Sequence, residues 1–223
     1  MWVKICGIQD ISTASMVADA GASAIGLNFY APSPRSVNLA TAAEIKSAVS
    51  SREISVVGLF VKHSLEQVKS ICADLSLEVA QLHSDESAEF LAGLAQAAPE
   101  LRIIRAFRTH DHDLTRLADF LAECDQRGKR PDYVLIDAYS PQAYGGTGQI
   151  VPWAMIKESY LYEEWPPLIL AGGLTAKNVG EAVKTVAPFG VDTASGVENA
   201  PGVKNRQMVE AFVNQAKLSE ESL

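Results

Sequence analysis

Short apolar runs alternate with stretches of helical spacing along the chain. The runs are Trp2–Cys6, Ala24–Phe29, Ile54–Val61, Glu78–His83, Arg102–Phe107, Tyr133–Asp137, Pro167–Ala171 and Val191–Ser195. Between them, apolar residues recur every three or four positions. In SLEQVKSICADL, residues Leu65, Val68, Ile71, Cys72 and Leu75 share one face. AEFLAGLAQAA and LTRLADFLAEC read the same way. Strands separated by helices of this length imply parallel pairing through right-handed crossovers. Eight such units in 223 residues match a (β/α)8 TIM barrel with little decoration. A doubly wound sheet usually has fewer strands for this length. No linker or composition break interrupts the pattern, so residues 1–223 are expected to form one domain.

A barrel gives the ends of the runs meaning, because its active site lies at the C-terminal ends of the strands. Side chains alternate across a strand. In the first run, Val3 and Ile5 suit the helix layer, which turns Lys4 and Cys6 inward. In the sixth, Val134 and Ile136 face the helices, while Leu135 and Asp137 face inward. Asp192 and Ala194 follow the same count in the eighth, and His83 ends the fourth. A lysine or an aspartate inside a barrel is costly unless paired or used. A cysteine two residues from an ammonium on one face is a candidate for a lowered thiol pKa, or else a small buried hydrophobe. Cys72 and Cys124 lie on apolar helix faces and read as core. Asp137 precedes the glycine-rich stretch AYSPQAYGGTGQ. That arrangement reads either as a turn or as an acid set beside a loop able to approach a ligand closely.

Near the C-terminus, LAGGL is followed by a helix expected to open at Thr175, and VDTASGVE by a short helical turn. Loops after strands seven and eight of a barrel commonly hold phosphate through backbone N–H groups and a helix N-terminus. Gly172, Gly173, Ser195 and Gly196 are therefore the expected phosphate-binding residues.

Composition narrows the partners. The net charge of −8 and a pI near 5.0 argue against nucleic acid and anionic membrane, which need a concentrated positive surface. A small anionic substrate remains compatible. The three cysteines match no zinc spacing and point to a reducing compartment. No run approaches the roughly 20 apolar residues of a membrane span. The chain reads as cytoplasmic, with monomer and homodimer both open.

Six motifs occur in order: KICGI, NFYAPSPRSV, QLH, LIDAYSPQAYGGTGQ, LAGGL and VDTASGVE. Together they resemble phosphoribosylanthranilate isomerase, over the whole chain. Asn28 stands where that family often has an apolar residue, and Ser84 where a glycine often follows QLH. The resemblance implies an Amadori rearrangement with Cys6 as general base, Asp137 as general acid and Arg35 as clamp on the anthranilate carboxylate. Without its motif, Arg35 would read as a solvated loop residue. His83 and Asp192 are expected to line the substrate. The chemistry asks for no metal or cofactor, since the iminium formed on ring opening is itself an electron sink. A ribulose-phosphate epimerase-type barrel would instead place metal ligands at strand ends. Here His63 begins a loop, and His110 and His112 lie in a polar run where Asp111 or Asp113 reads as a helix cap.

Overall fold

The computed structural model describes residues 1–109, 113–138 and 152–220. Eight parallel strands close into a barrel in sequence order. They are β1 (Trp2–Cys6), β2 (Ala24–Asn28), β3 (Ser55–Phe60), β4 (Val79–Leu82), β5 (Arg102–Thr109), β6 (Tyr133–Ala138), β7 (Leu168–Leu170) and β8 (Gly190–Thr193). Helices α1 (Ile11–Asp19), α2 (Leu39–Ala48), α3 (Leu65–Asp74), α4 (Ala88–Ala97), α5 (Thr115–Gln126), α6 (Trp153–Ser159), α7 (Val179–Val186) and α8 (Arg206–Glu220) follow them in turn.

Local chemistry sets several helix starts. Asp10 accepts from the Thr13 N–H at 2.8 Å and Asn38 from Thr41 at 2.9 Å, each filling an orphan donor of a first turn. Ser64 and Gln67 form a reciprocal capping box on α3. Asp113 does not cap α5: the cap residue is Leu114, and Asp113, one position earlier, accepts from the Thr115 N–H at 3.1 Å. Thr175 does not open α7. Its N–H donates to the Asn178 side chain at 2.7 Å, forming a turn that delays the helix to Val179. Ser195 likewise lies past the end of β8, in a single 3-10 turn over Ser195–Val197.

The core has two shells. Val3, Ile5, Ile25, Leu27, Val134 and Ile136 pack between sheet and helices. Ala24, Val57, Val79, Ile104, Ala106, Leu135 and Ile169 fill the barrel interior. The alternation read from the sequence therefore holds on β1 and β6. Cys72 and Cys124 are buried in the helix-facing shell, with thiols pushed up to about 12 and about 11, mainly by burial. Among the described residues, no helix is long and apolar enough to cross a membrane.

Candidate active site

Register brings the inward residues of β1 against small neighbours on β2. Lys4 pairs with Ala24 and Cys6 with Gly26. A side-chain carbon at Gly26 would lie 2.7 Å from the Cys6 sulfur and 3.1 Å from the Lys4 stem. The missing atom is thus the space these two side chains use. On the other edge, Lys4 pairs with Asp192 of β8, and its ammonium meets that carboxylate at 2.9 Å. Lys4 is wholly buried. Burial pulls its pKa down, but Asp192 and the neighbouring sulfur outweigh that and hold the ammonium above its ordinary value. Cys6 goes the other way from the sequence expectation. Burial pushes its thiol up, and the opposing pull of Lys4 and Lys204 does not reverse it. Cys6 rests as a thiol, and once deprotonated it is a correspondingly strong base.

Asp137 ends the opposite wall. It is 5% exposed, as is His83 above the end of β4. His83 Nε2 stands 3.5 Å from Asp137 Oδ2, close but outside hydrogen-bonding geometry. Its other ring nitrogen, Nδ1, is 2.7 Å from the side-chain nitrogen of Gln81, itself fully buried.

The loop after β2 holds Arg35. Asn28 organises this loop: its side chain accepts from the Tyr30 N–H at 2.9 Å and donates to the Ser33 hydroxyl at 3.1 Å. That accounts for a polar residue at a position where the family often has an apolar one. Pro32 and Pro34 restrict the loop further. The Arg35 stem packs against Gly7, where a side-chain carbon would meet Arg35 Cδ at 2.8 Å, so Arg35 lies next to the residue after Cys6. Its guanidinium is not free. Nε and Nη2 bind Glu198 at 2.9 and 2.7 Å, and Lys204 reaches the same carboxylate at 2.7 Å. Burial raises the Glu198 pKa, but Arg35 and Lys204 outweigh it and hold the carboxyl below its usual range. Burial draws the Lys204 ammonium down, and Glu198 opposes only part of that. The edge of Arg35 carrying Nη1 takes no part in that pairing.

The other departure from the family pattern also has a role. The Ser84 hydroxyl accepts from the Lys62 N–H at 2.9 Å and donates to Glu86, tying the loop after β4 to the end of β3.

Gly172 and Gly173 both take left-handed φ, +86° and +65°, which lets the chain turn sharply after β7. A side-chain carbon at Gly196 would fall 1.9 Å from the Leu174 carbonyl oxygen. The Thr193 hydroxyl donates to that same oxygen at 2.8 Å. The loops after β7 and β8 are therefore pinned together, with Gly172, Gly173, Ser195 and Gly196 on adjacent strand ends. Gly145, Gly146 and Gly148 of the loop after Asp137, together with His110, Asp111 and His112, lie outside the described residues. Among the described residues, no three His, Cys, Asp or Glu side chains are grouped to hold a metal.

Residues 3–215 match the family model described as N-(5'phosphoribosyl)anthranilate (PRA) isomerase. The chain belongs to this family. The isomerase of Geotalea uraniireducens (strain Rf4) is 42% identical over 216 residues, 96% of this chain and 98% of that protein. That of Geotalea daltonii (strain DSM 22248 / JCM 15807 / FRC-32) is 43% identical over 215 residues, 96% of each. The crystal structure of the Thermotoga maritima isomerase superposes with a TM-score of 0.83 at 28% identity, covering 97% of this chain and 98% of that one. A phosphoribosylanthranilate isomerase in complex with reduced 1-(o-carboxyphenylamino)-1-deoxyribulose 5-phosphate superposes at 0.79, with 28% identity and the same coverage. This phosphoribosylanthranilate isomerase is thus a single-barrel enzyme of tryptophan biosynthesis.

Reading the isomerase from its sequence alone missed Gln81, Glu198 and Lys204. Gln81 had a usable signal, since it lies two residues before His83 on the same inward face. Glu198 and Lys204 had none. They sit on a small antiparallel hairpin after β8, Glu198–Ala200 with Val203–Lys204, too short to show a period.

Proposed function

We propose that this isomerase carries out the Amadori rearrangement of N-(5-phosphoribosyl)anthranilate with Asp137 as general acid and Cys6 as general base. The observation that carries the reading is the placement of these two groups. Both face inward at the C-terminal ends of their strands, β6 and β1, and both are buried at the mouth of one closed barrel. Asp137 gives its proton to the ring oxygen. The C1–O bond breaks, its electron pair goes to that oxygen, and the nitrogen lone pair forms the iminium. Cys6, having first released its thiol proton to solvent, then takes the proton from C2 as the thiolate; the C2–H electrons move into the C1–C2 bond and the iminium π electrons return to nitrogen to give the enaminol. Return of a proton to C1 and loss of one from the C2 hydroxyl yields the ketone. The charge changes are absorbed by the iminium, which is why two side chains suffice.

Lys4, fixed by Asp192, stands beside the sulfur and offsets the charge that appears as Cys6 deprotonates. Asp192 also floors the pocket under the sugar. The free edge of Arg35 meets the anthranilate carboxylate, with bidentate geometry suited to a planar anion. Gly172, Gly173, Ser195 and Gly196 take the phosphate. His83 meets the substrate side of the pocket beside Asp137. The whole chain acts as one catalytic domain in the cytoplasm, consistent with its three free, buried cysteines.

Complementation of a tryptophan auxotroph lacking this isomerase tests the activity. Turnover of phosphoribosylanthranilate by Cys6→Ser and Asp137→Asn tests the assignment. Each should lose about 10²–10⁴ in kcat with KM nearly kept. A wild-type kcat in either variant removes that residue from the mechanism.

A further inference from the structure

Among the described residues, the buried side-chain atoms Gln81 Oε1 and His83 Nε2 have no hydrogen-bond partner, and the second stands 3.5 Å from Asp137. Both belong to inward-facing residues of one strand and its end, and both side chains are sequestered from solvent. Leaving a polar atom unpartnered in a closed interior costs free energy, so the arrangement calls for a use. The Gln81 side-chain nitrogen is 2.7 Å from His83 Nδ1. An amide N–H there donates to the Nδ1 lone pair, which leaves the ring proton on Nε2. Nε2 stands 3.5 Å from Asp137 Oδ2. β5 lies between the strands carrying the two groups; its Arg108 is in register with Asp137 and its Ala106, one inward step lower, with Leu135.

We propose that Gln81 and His83 form a donor chain aimed at the conjugate base of Asp137. Gln81 fixes His83 as the Nε2–H tautomer, and that N–H closes on the Asp137 carboxylate as it gives its proton to the sugar ring oxygen. The inference rests on the reading of Asp137 as the acid. His83 transfers no proton in this step. The O–H bond of Asp137 breaks, the ring oxygen gains the proton, and the negative charge left on the carboxylate accepts the His83 N–H. The 3.5 Å gap suits this role. A neutral carboxylic acid attracts the N–H weakly and a carboxylate attracts it strongly, so the contact improves as the reaction proceeds. An interaction stronger in the transition state than in the ground state lowers the barrier without tightening substrate binding. Gln81 and His83 are then positioning residues, acting through Asp137.

The ring tautomer can be measured directly. In enzyme labelled with ¹⁵N-histidine, the His83 signals are assigned by their loss in His83→Asn. The expected spectrum at neutral pH shows Nε2 protonated and Nδ1 bare. In Gln81→Glu the new carboxylate accepts from the ring, so Nδ1 should become protonated. In turnover assays, His83→Phe should lower kcat about 10- to 100-fold, the range for a hydrogen bond to a charged group, with the smaller part of the effect in KM. His83→Gln, whose side-chain N–H reaches the position of Nε2, should recover part of that loss. A purely structural histidine would give no such recovery at equal thermal stability. A wild-type His83 bearing its proton on Nδ1, or a full kcat in His83→Phe, overturns the proposal. If Asp137→Asn keeps wild-type turnover while the Nε2–H tautomer is observed, the donor chain exists but Asp137 is not the acid, and the two failures are told apart.

Discussion

Replacing Lys4 with methionine should destabilise the barrel far more than a loss of one surface charge would. The ammonium meets Asp192 at 2.9 Å, with side-chain exposures of 0% and 9%. At that distance the attraction is about 6 kcal/mol for an effective dielectric constant of about 20. Most of it offsets the cost of burying two ions. Lys4→Met keeps the stem volume and removes only the cation, so the Asp192 carboxylate is left buried without a counter-charge. Cys6 cannot substitute, because as a thiol it is neutral. The expected cost is about 3–5 kcal/mol. For a chain of this size, that lowers Tm by roughly 6–20 °C. Asp192→Asn should cost a similar amount by stranding the ammonium. The double variant leaves no uncompensated ion and should cost clearly less than the sum of the two. Urea unfolding followed by far-UV circular dichroism gives all three values, provided the slope stays constant. The reasoning is refuted if Lys4→Met costs under about 1 kcal/mol, or if the single costs add to the double within about 0.5 kcal/mol.

Three further outcomes are expected. Arg35→Met should raise KM for phosphoribosylanthranilate more than it lowers kcat, as for a grip held from ground state to transition state; an unchanged KM would mean that Arg35 serves only Glu198. Gly196→Ala forces a carbon to within 1.9 Å of the Leu174 carbonyl oxygen and must part the loops after β7 and β8. Inhibition by inorganic phosphate should weaken about tenfold or more, equivalent to about 1.4 kcal/mol, and unaltered inhibition would place the phosphate elsewhere. Glu198 has a folded pKa below its ordinary 4.5, so the stability it contributes is fully present above pH 4.5 and is lost as pH falls through the lower folded value. Glu198→Gln should flatten that acid limb; superimposable stability curves for the two proteins between pH 5 and pH 3 would show that the pairing contributes nothing.

What could be read from the sequence follows from what leaves a period. The alternation along β1 and β6 is enough to turn Lys4, Cys6, Leu135 and Asp137 inward, because a strand buried on both faces still has to choose which residues meet the helices. Strand ends carry the site in barrels of this kind, so Asp137 and His83 stand out in the sequence as candidates, and the structure buries both at strand ends. The start of α7 was not, since the Asn178 side chain makes a turn that mimics a helix opening at Thr175. Nor was the partnership of Arg35, whose carboxylate Glu198 lies 163 positions away with no pattern connecting them. The direction of the Cys6 shift was also hidden. The sequence places an ammonium nearby but says nothing of how deeply the sulfur is enclosed, and enclosure decides the sign.

Gly26 carries no reactive atom, yet it marks where one is allowed to be. A screen that ranks positions by the chemistry of their side chains would pass over it. Enlarging it should leave every acid, base and ion pair in the chain intact on paper, while Gly26→Ala displaces the sulfur. Loss-of-function variants in this enzyme should therefore cluster at small inward-facing residues as densely as at charged ones, and a variant's harm should scale with the volume it adds.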